Sequence, residues 1–179
     1  MNEESLDIGC GGSIQYPIGV SRSRGFINVD IQKPVTKIQN FVQADAHHLP
    51  FKNGSFQKVL MYDIIEHVDS PSKCIKEAHR VLKEKGVLEL GTPNALYLPK
   101  IVRAALRGKY IPYPDHLMTW GAPELENLLI HCGFSKVKIE HRTYINTSNW
   151  YNLITKFCPF QSLRHRQLIA IAIKNNITL

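Results

Sequence analysis

Within the first 63 residues, four short apolar runs each end on glycine or on an acid: Leu6 to Gly9, Gly25 to Asp30, a run closing at Asp45, and Ser55 to Asp63. Short apolar runs bounded by such residues read as buried strands. The next stretch, SPSKCIKEAHRVLKEKG, has the pattern of a helix. Ser70 stands at the N-cap and Pro71 in the first turn, Cys74, Ile75, Ala78, Val81 and Leu82 share one face, and Gly86 is the expected stop. VLELGTPN supplies a fifth strand. Helical patterns follow at Leu96 to Leu106 and at APELENLLIHCG, then an alternating KVKIEHRTY and a closing strand QLIAIAIK. Strands alternating with helices dictate an α/β architecture, a doubly wound and mostly parallel sheet covered on both faces. Ligands of such sheets lie outside the carboxyl ends of the strands. Gly9, Asp30, Asp45 and the Tyr62–Asp63 pair are therefore expected along one edge.

A dinucleotide loop needs glycine at its first, third and sixth positions. Gly9 and Gly11 meet the first two, but Ile14 occupies the sixth, and the following SIQYPIGVSRSRG carries Pro17, Gly19 and Gly25 and has no helical period. A pyrophosphate would lack its helix N-terminus there. No glycine–lysine–serine or –threonine follows either, so a nucleotide-triphosphate loop is excluded. A nucleoside without phosphates suits the residues better. Glycines at 9, 11 and 12 let backbone approach a ligand closely. Asp30 follows about 20 residues later, the spacing at which an acid accepts ribose hydroxyl protons. Asp45 can accept from an exocyclic amino group. A glycine cluster alone marks no more than a turn; the two acids turn this one into a candidate site.

Length and composition bound the rest. The chain has 179 residues, 44% of them hydrophobic, enough for one core, and 1–179 reads as a single domain. Its four cysteines, Cys10, Cys74, Cys132 and Cys158, form no C-x-x-C pair, which argues against a zinc site or redox motif and suits a cytoplasmic protein. No metal site is expected. No leader pattern or membrane span is visible. The net charge of +7 is compatible with an acidic partner, but the cations are dispersed.

The ordered pieces LDIGCGGS, INVDI, QADAHHLPFKNGSFQKVLMYDIIEHV and EAHRVLKEKGVLELGTPN resemble the successive motifs of class I S-adenosylmethionine-dependent methyltransferases, over residues 5–94, and DHLMTWGAPELENLLIHCGF extends the likeness. GFINVD is especially similar to a subgroup of small methyltransferases that modify sugars, lipids or quinones. The resemblance implies a Rossmann-like, three-layer α/β/α fold on a seven-stranded sheet, its last strand, Gln167 to Lys174, antiparallel and inserted beside the fifth. S-adenosylmethionine is the implied cofactor. Asp7 and the loop Gly9, Cys10, Gly11, Gly12 would flank its amino-acid part. Asp30 would bind the ribose and Ile31 would pack on the adenine, with Asp45 accepting from the adenine amino group and Ala46 close to the ring. Tyr62 and Asp63 would line the sulfonium end. The implied activity is methyl transfer to an O, N or C atom of a small-molecule, sugar or lipid-like acceptor.

Two departures from the family stand out. Ser13 replaces the last glycine of the loop, and only about five residues precede the first strand. The cofactor pocket is therefore expected to be open, to be covered by a partner chain, a second copy or the segment 96–113. Methyl transfer from a sulfonium depends on positioning and exclusion of water, and a base is needed only where the acceptor holds its proton. His67 in IIEHV is the first candidate, then His116 in YPDHLMTW, then Asp63.

Acceptor specificity is expected in 92–120, where Tyr97, Tyr110, Tyr113 and Trp120 could wall a pocket. Lys100, Arg103 and Arg107 share a helix face suited to a phosphate or an anionic surface, though a solvated face is the default. The apolar insertion 145–166, with Trp150, Tyr151, Phe157 and Phe160, is expected to pack on the core or pair subunits. An RNA methyltransferase is the less favoured alternative, because MYDI stands where amino-directed nucleic-acid enzymes carry an asparagine or aspartate followed by two prolines and an aromatic residue. A methyltransferase-like subunit without catalysis is the other.

Overall fold

The computed structural model describes residues 4–11, 25–34, 37–108, 115–142 and 159–175. Along the chain the elements are β1 (Ser5–Ile8), β2 (Phe26–Asp30), β3 (Phe41–Gln43), β4 (Phe56–Tyr62), α1 (Pro71–Val81), β5 (Leu82–Pro93), α2 (Leu98–Leu106), α3 (Ala122–His131), β6 (Lys136–Arg142), a short α4 (Gln161–Arg164) and β7 (Gln167–Ile173). They form one seven-stranded sheet in the order β3-β2-β1-β4-β5-β7-β6. β1 pairs in parallel with both β2 and β4, and β7 runs antiparallel between β5 and β6. This is the Rossmann-like, doubly wound order expected from the sequence, with the antiparallel strand beside the fifth.

Alternation along the strands sorts the core into faces. Val59 and Met61 of β4, Leu88 and Leu90 of β5, and Leu168, Ala170 and Ala172 of β7 join α1 and α3 in one apolar cluster. From α1 come Cys74, Ile75, Ala78 and Val81, the positions its periodicity selects, and from α3 come Leu125 and Leu129. Leu60 and Ile169 stand at the intervening positions and are also buried, so the sheet is covered on its second face too.

α1 departs from expectation at both ends. Ser70 is at the N-cap but makes no side-chain cap; its carbonyl instead accepts from Lys73 and Cys74 N–H at 3.0 and 3.3 Å. The helix ends at Val81 and not at Gly86. Gly54 N–H and Ser55 N–H bind the carbonyls of Arg80 and Val81, and Leu82 pairs with Phe56, so strand pairing overrides a run of good helix formers. Lys174 Nζ donates to the carbonyls of His79 and Leu82 at 3.0 and 2.8 Å, closing the helix from the far end of the chain. No helix among the described residues is long and apolar enough to cross a membrane.

Candidate active site

The strand order reverses between β1 and β4, and a cleft of about 1340 Å³ opens there, at the carboxyl ends of the parallel strands. Such a switch point is where sheets of this kind bind ligands, and the volume exceeds the roughly 300–1,000 Å³ of an ordinary small-molecule pocket. The walls include Asp7, Gly9, Cys10, Gly11, Asp30, Ile31, Asp45, Ala46, Tyr62, Asp63 and His67. Four separate strand ends thus bring together eleven of the residues singled out in the sequence. Gly12 lies outside the described residues, as do Ser13, Tyr110, Tyr113 and Trp150. Of the described residues from 96 to 120, Asp115 and Leu117 line the cleft, while α2 does not.

The turn after β1 is built on two carbonyl contacts, Gly9 N–H and Cys10 N–H both reaching Val29 O at 2.7 and 3.1 Å. Gly9 has φ +73°, and a Cβ there would lie 1.8 Å from Ile64 Cδ1. Glycine is required both for the turn and for the approach of the chain that leaves β4. Asp30 closes the arrangement: Oδ2 accepts from Gly11 N–H at 2.8 Å and Oδ1 from Gln32 N–H at 2.9 Å. Each oxygen keeps a further lone pair for a diol. Ile31, just beyond, is 63% exposed at the rim, an apolar surface suited to a flat ring.

Asp45 is held by a residue that the sequence reading passed over. His47 N–H and His47 Nδ1 both lie on Asp45 Oδ1, at 2.8 and 2.7 Å, and His47 Nε2 is 3.0 Å from Asp69 Oδ1. The His47 backbone N–H, opposed by partial burial and aided by the imidazoles of His47 and His48, holds the Asp45 carboxyl below the usual range. It is an anionic acceptor at working pH. The only prior signal was the pair AHH after the acid.

Tyr62 packs its ring over Gly91 of β5 and donates its hydroxyl to Glu89, whose other oxygen meets Lys58 Nζ at 2.8 Å. Asp63 follows with φ +51°, a left-handed turn that aspartate tolerates. The turn brings Glu66 underneath. Glu66 is 1% exposed, and its Oε2 accepts from Thr92 Oγ1 at 3.0 Å. Burial first, then the adjacent Asp63 charge, push the Glu66 carboxyl up to about 8. Sequence gave no warning, because a glutamate in a turn ordinarily faces solvent.

His67 and His116, far apart in sequence, meet edge to face with ring centroids 4.7 Å apart. Leu117 and Met118 N–H both bind the Glu66 carbonyl, at 2.7 and 3.3 Å, fastening the second segment to the first. Burial and the neighbouring His67 lower the His116 imidazole.

Residues 6–90 match the family described as a methyltransferase domain. A probable S-adenosylmethionine-dependent methyltransferase of Mycobacterium tuberculosis is 29% identical over 140 residues, covering 74% of this chain and 48% of the relative. A ubiquinone biosynthesis O-methyltransferase of Pelagibacter ubique is 27% identical over 128 residues, covering 64% and 53%. The chain thus spans about half the length of these curated relatives. A solved S-adenosylmethionine-dependent methyltransferase from Thermotoga maritima superposes with a TM-score of 0.69 at 20% identity, over 96% of this chain and 82% of that one. Matched motifs, strand order and the cleft at the switch point lead to one conclusion: residues 6–90 are similar to the methyltransferase-domain family, and the chain has the fold of the solved methyltransferase from Thermotoga maritima.

Proposed function

We propose that this chain transfers a methyl group from S-adenosylmethionine to a small acceptor bearing an ionisable hydroxyl. One observation carries the reading: four separate strand ends deliver a glycine turn, Asp30, Asp45 and the Asp63–His67 segment to a single cleft. Bound there, the cofactor supplies an electrophilic methyl group on a sulfonium. The protein's task is to hold the two reactants in line and keep water away. Asp30 would accept from the ribose hydroxyls, its carboxylate already held by Gly11 and Gln32 N–H. Ile31 and Ala46 would lie against the adenine, and Asp45 would accept from its amino group. Asp7 and the loop that begins at Gly9 would receive the amino-acid end, with Tyr62 and Asp63 beside the reacting centre.

His67 is placed to take the acceptor's proton. Its Nδ1 sits 3.0 Å from the Asp115 carbonyl, which can only accept, so Nδ1 carries a hydrogen and the neutral ring has its lone pair on Nε2. His116 lies against it, and Asp63 lines the same cleft. The hydroxyl acceptor is supported by this base and by the likeness to an O-methyltransferase.

Calorimetry with S-adenosylmethionine tests the reading. Wild type is expected to bind one equivalent and Asp30→Ala to bind about 100-fold more weakly, the loss of two hydrogen bonds to a charged group. A wild-type chain that takes up neither the cofactor nor its demethylated product would sink the proposal.

A further inference from the structure

Beneath the acceptor end of the cleft, Glu66, His67 and His116 offer one oxygen and two ring nitrogens that all lie within 4.8 Å of one another. Two independent observations point to a ligand between them. Glu66 is 1% exposed, and while Thr92 satisfies Oε2, the buried Oε1 meets no N–H or hydroxyl donor and the carboxyl stands against that of Asp63. A carboxyl buried this deeply beside a second acid is costly to ionise unless a cation takes the place of its proton. The second observation is the tautomer of His67. Its Nδ1 is tied to the Asp115 carbonyl at 3.0 Å, with Asp115 Oδ2 at 3.5 Å, so the lone pair of the neutral ring lies on Nε2. Ligating imidazoles are held this way, the second nitrogen donating to a carbonyl or carboxylate.

We propose that Glu66, His67 and His116 hold one divalent transition-metal ion. Ligand bonds of about 2.0–2.2 Å place neighbouring donor atoms roughly 3–3.5 Å apart, so binding draws the three side chains inward from their present spread. Two imidazoles and a carboxylate suit manganese, iron or zinc better than calcium or magnesium. The edge-to-face contact of the two rings and the backbone bonds from Leu117 and Met118 to Glu66 already bring both segments together.

The role of the ion rests on the methyltransferase reading. His67 lines the cleft, so an open coordination position would face the acceptor. A coordinated hydroxyl loses its proton to solvent more readily. In the loaded protein His67 holds the ion, and in the metal-free protein it takes the proton itself.

The full chain, stripped with a chelator, is titrated with Mn²⁺ while electron paramagnetic resonance follows the free ion, and cofactor binding is measured in parallel by calorimetry. Wild type is expected to take up one Mn²⁺. His67→Ala and His116→Ala should each bind it at least tenfold more weakly, while His131→Ala, at an exposed position of α3, should match wild type. Absence of Mn²⁺ uptake by wild type overturns the inference whatever the variants do, and so does equal affinity in folded His67→Ala and His116→Ala. Cofactor binding without metal uptake sinks this site alone. Metal uptake without cofactor binding sinks the methyltransferase reading and leaves the site standing.

Discussion

A methyl group added at Gly91 would lie 2.3 Å from Tyr62 Cδ1 and 3.2 Å from Ile169 Cδ1, between two side chains with little room to yield. Tyr62 is tethered through its hydroxyl to Glu89, and Ile169 is fully buried. Gly91→Ala is expected to cost about 1–3 kcal/mol, seen in urea unfolding, and to weaken cofactor binding by displacing Tyr62. This requirement was illegible in the sequence, because it arises from a side chain on the neighbouring strand. Gly9 was legible, since a turn glycine after a buried run announces itself. The acids at 30 and 45 could be read for the same reason, each closing an apolar run. Glu66 and His47 could not. Their environments come from Thr92, Asp69 and the 115–118 segment, which only folding brings near.

At the scale of elements, α1 and the loop that follows Asp45 are locked together by one ion pair. Arg80 donates to both Glu77 oxygens at 2.7 and 2.8 Å and to the carbonyls of Leu49 and Phe51, and Glu77 Oε2 also accepts from Leu49 N–H. Arg80→Ala strands two carbonyls and a carboxylate, and a loss of about 2–3 kcal/mol is expected in chemical denaturation. The acid side follows by linkage. The Arg80 hydrogen bond holds Glu77 below its ordinary 4.5, against partial burial and with help from Leu49 N–H. Its stabilisation is therefore complete above pH 4.5 and lost as pH falls through the lower folded value. Unfolding free energy measured from pH 6 to 3 should fall across that window, and Glu77→Gln should flatten the fall. The helix pattern of α1 was readable, but its true end was not. Leu82 to Lys85 have the residues of a further helical turn, and only the pairing of Leu82 with Phe56 shows why they abandon it.

At the scale of the molecule, the alternation of strands and helices fixed the parallel sheet, since right-handed crossovers leave few topologies for such a chain. What it left unspoken is how far-apart segments bind one another. Lys174 reaches back from the end of β7 to the carbonyls that finish α1, and its backbone exchanges bonds with Lys85 and Gly86. Lys174→Met should lower stability by about 1–2 kcal/mol, the loss of a charged donor to two carbonyls, measured by thermal melting at neutral pH. The position of β7 has a consequence for biosynthesis. β6 joins the sheet through β7, and β5, on the side away from β4, meets β7 rather than β6, the next strand in the chain. During vectorial synthesis β6 therefore emerges with no strand to pair with, and the Val87–Pro93 edge of β5 stays open until residues 167–173 leave the ribosome. An open strand edge invites pairing with other chains. Ribosome-stalled chains ending before residue 167 should thus be held by chaperones, and chains stalled well beyond it released from them.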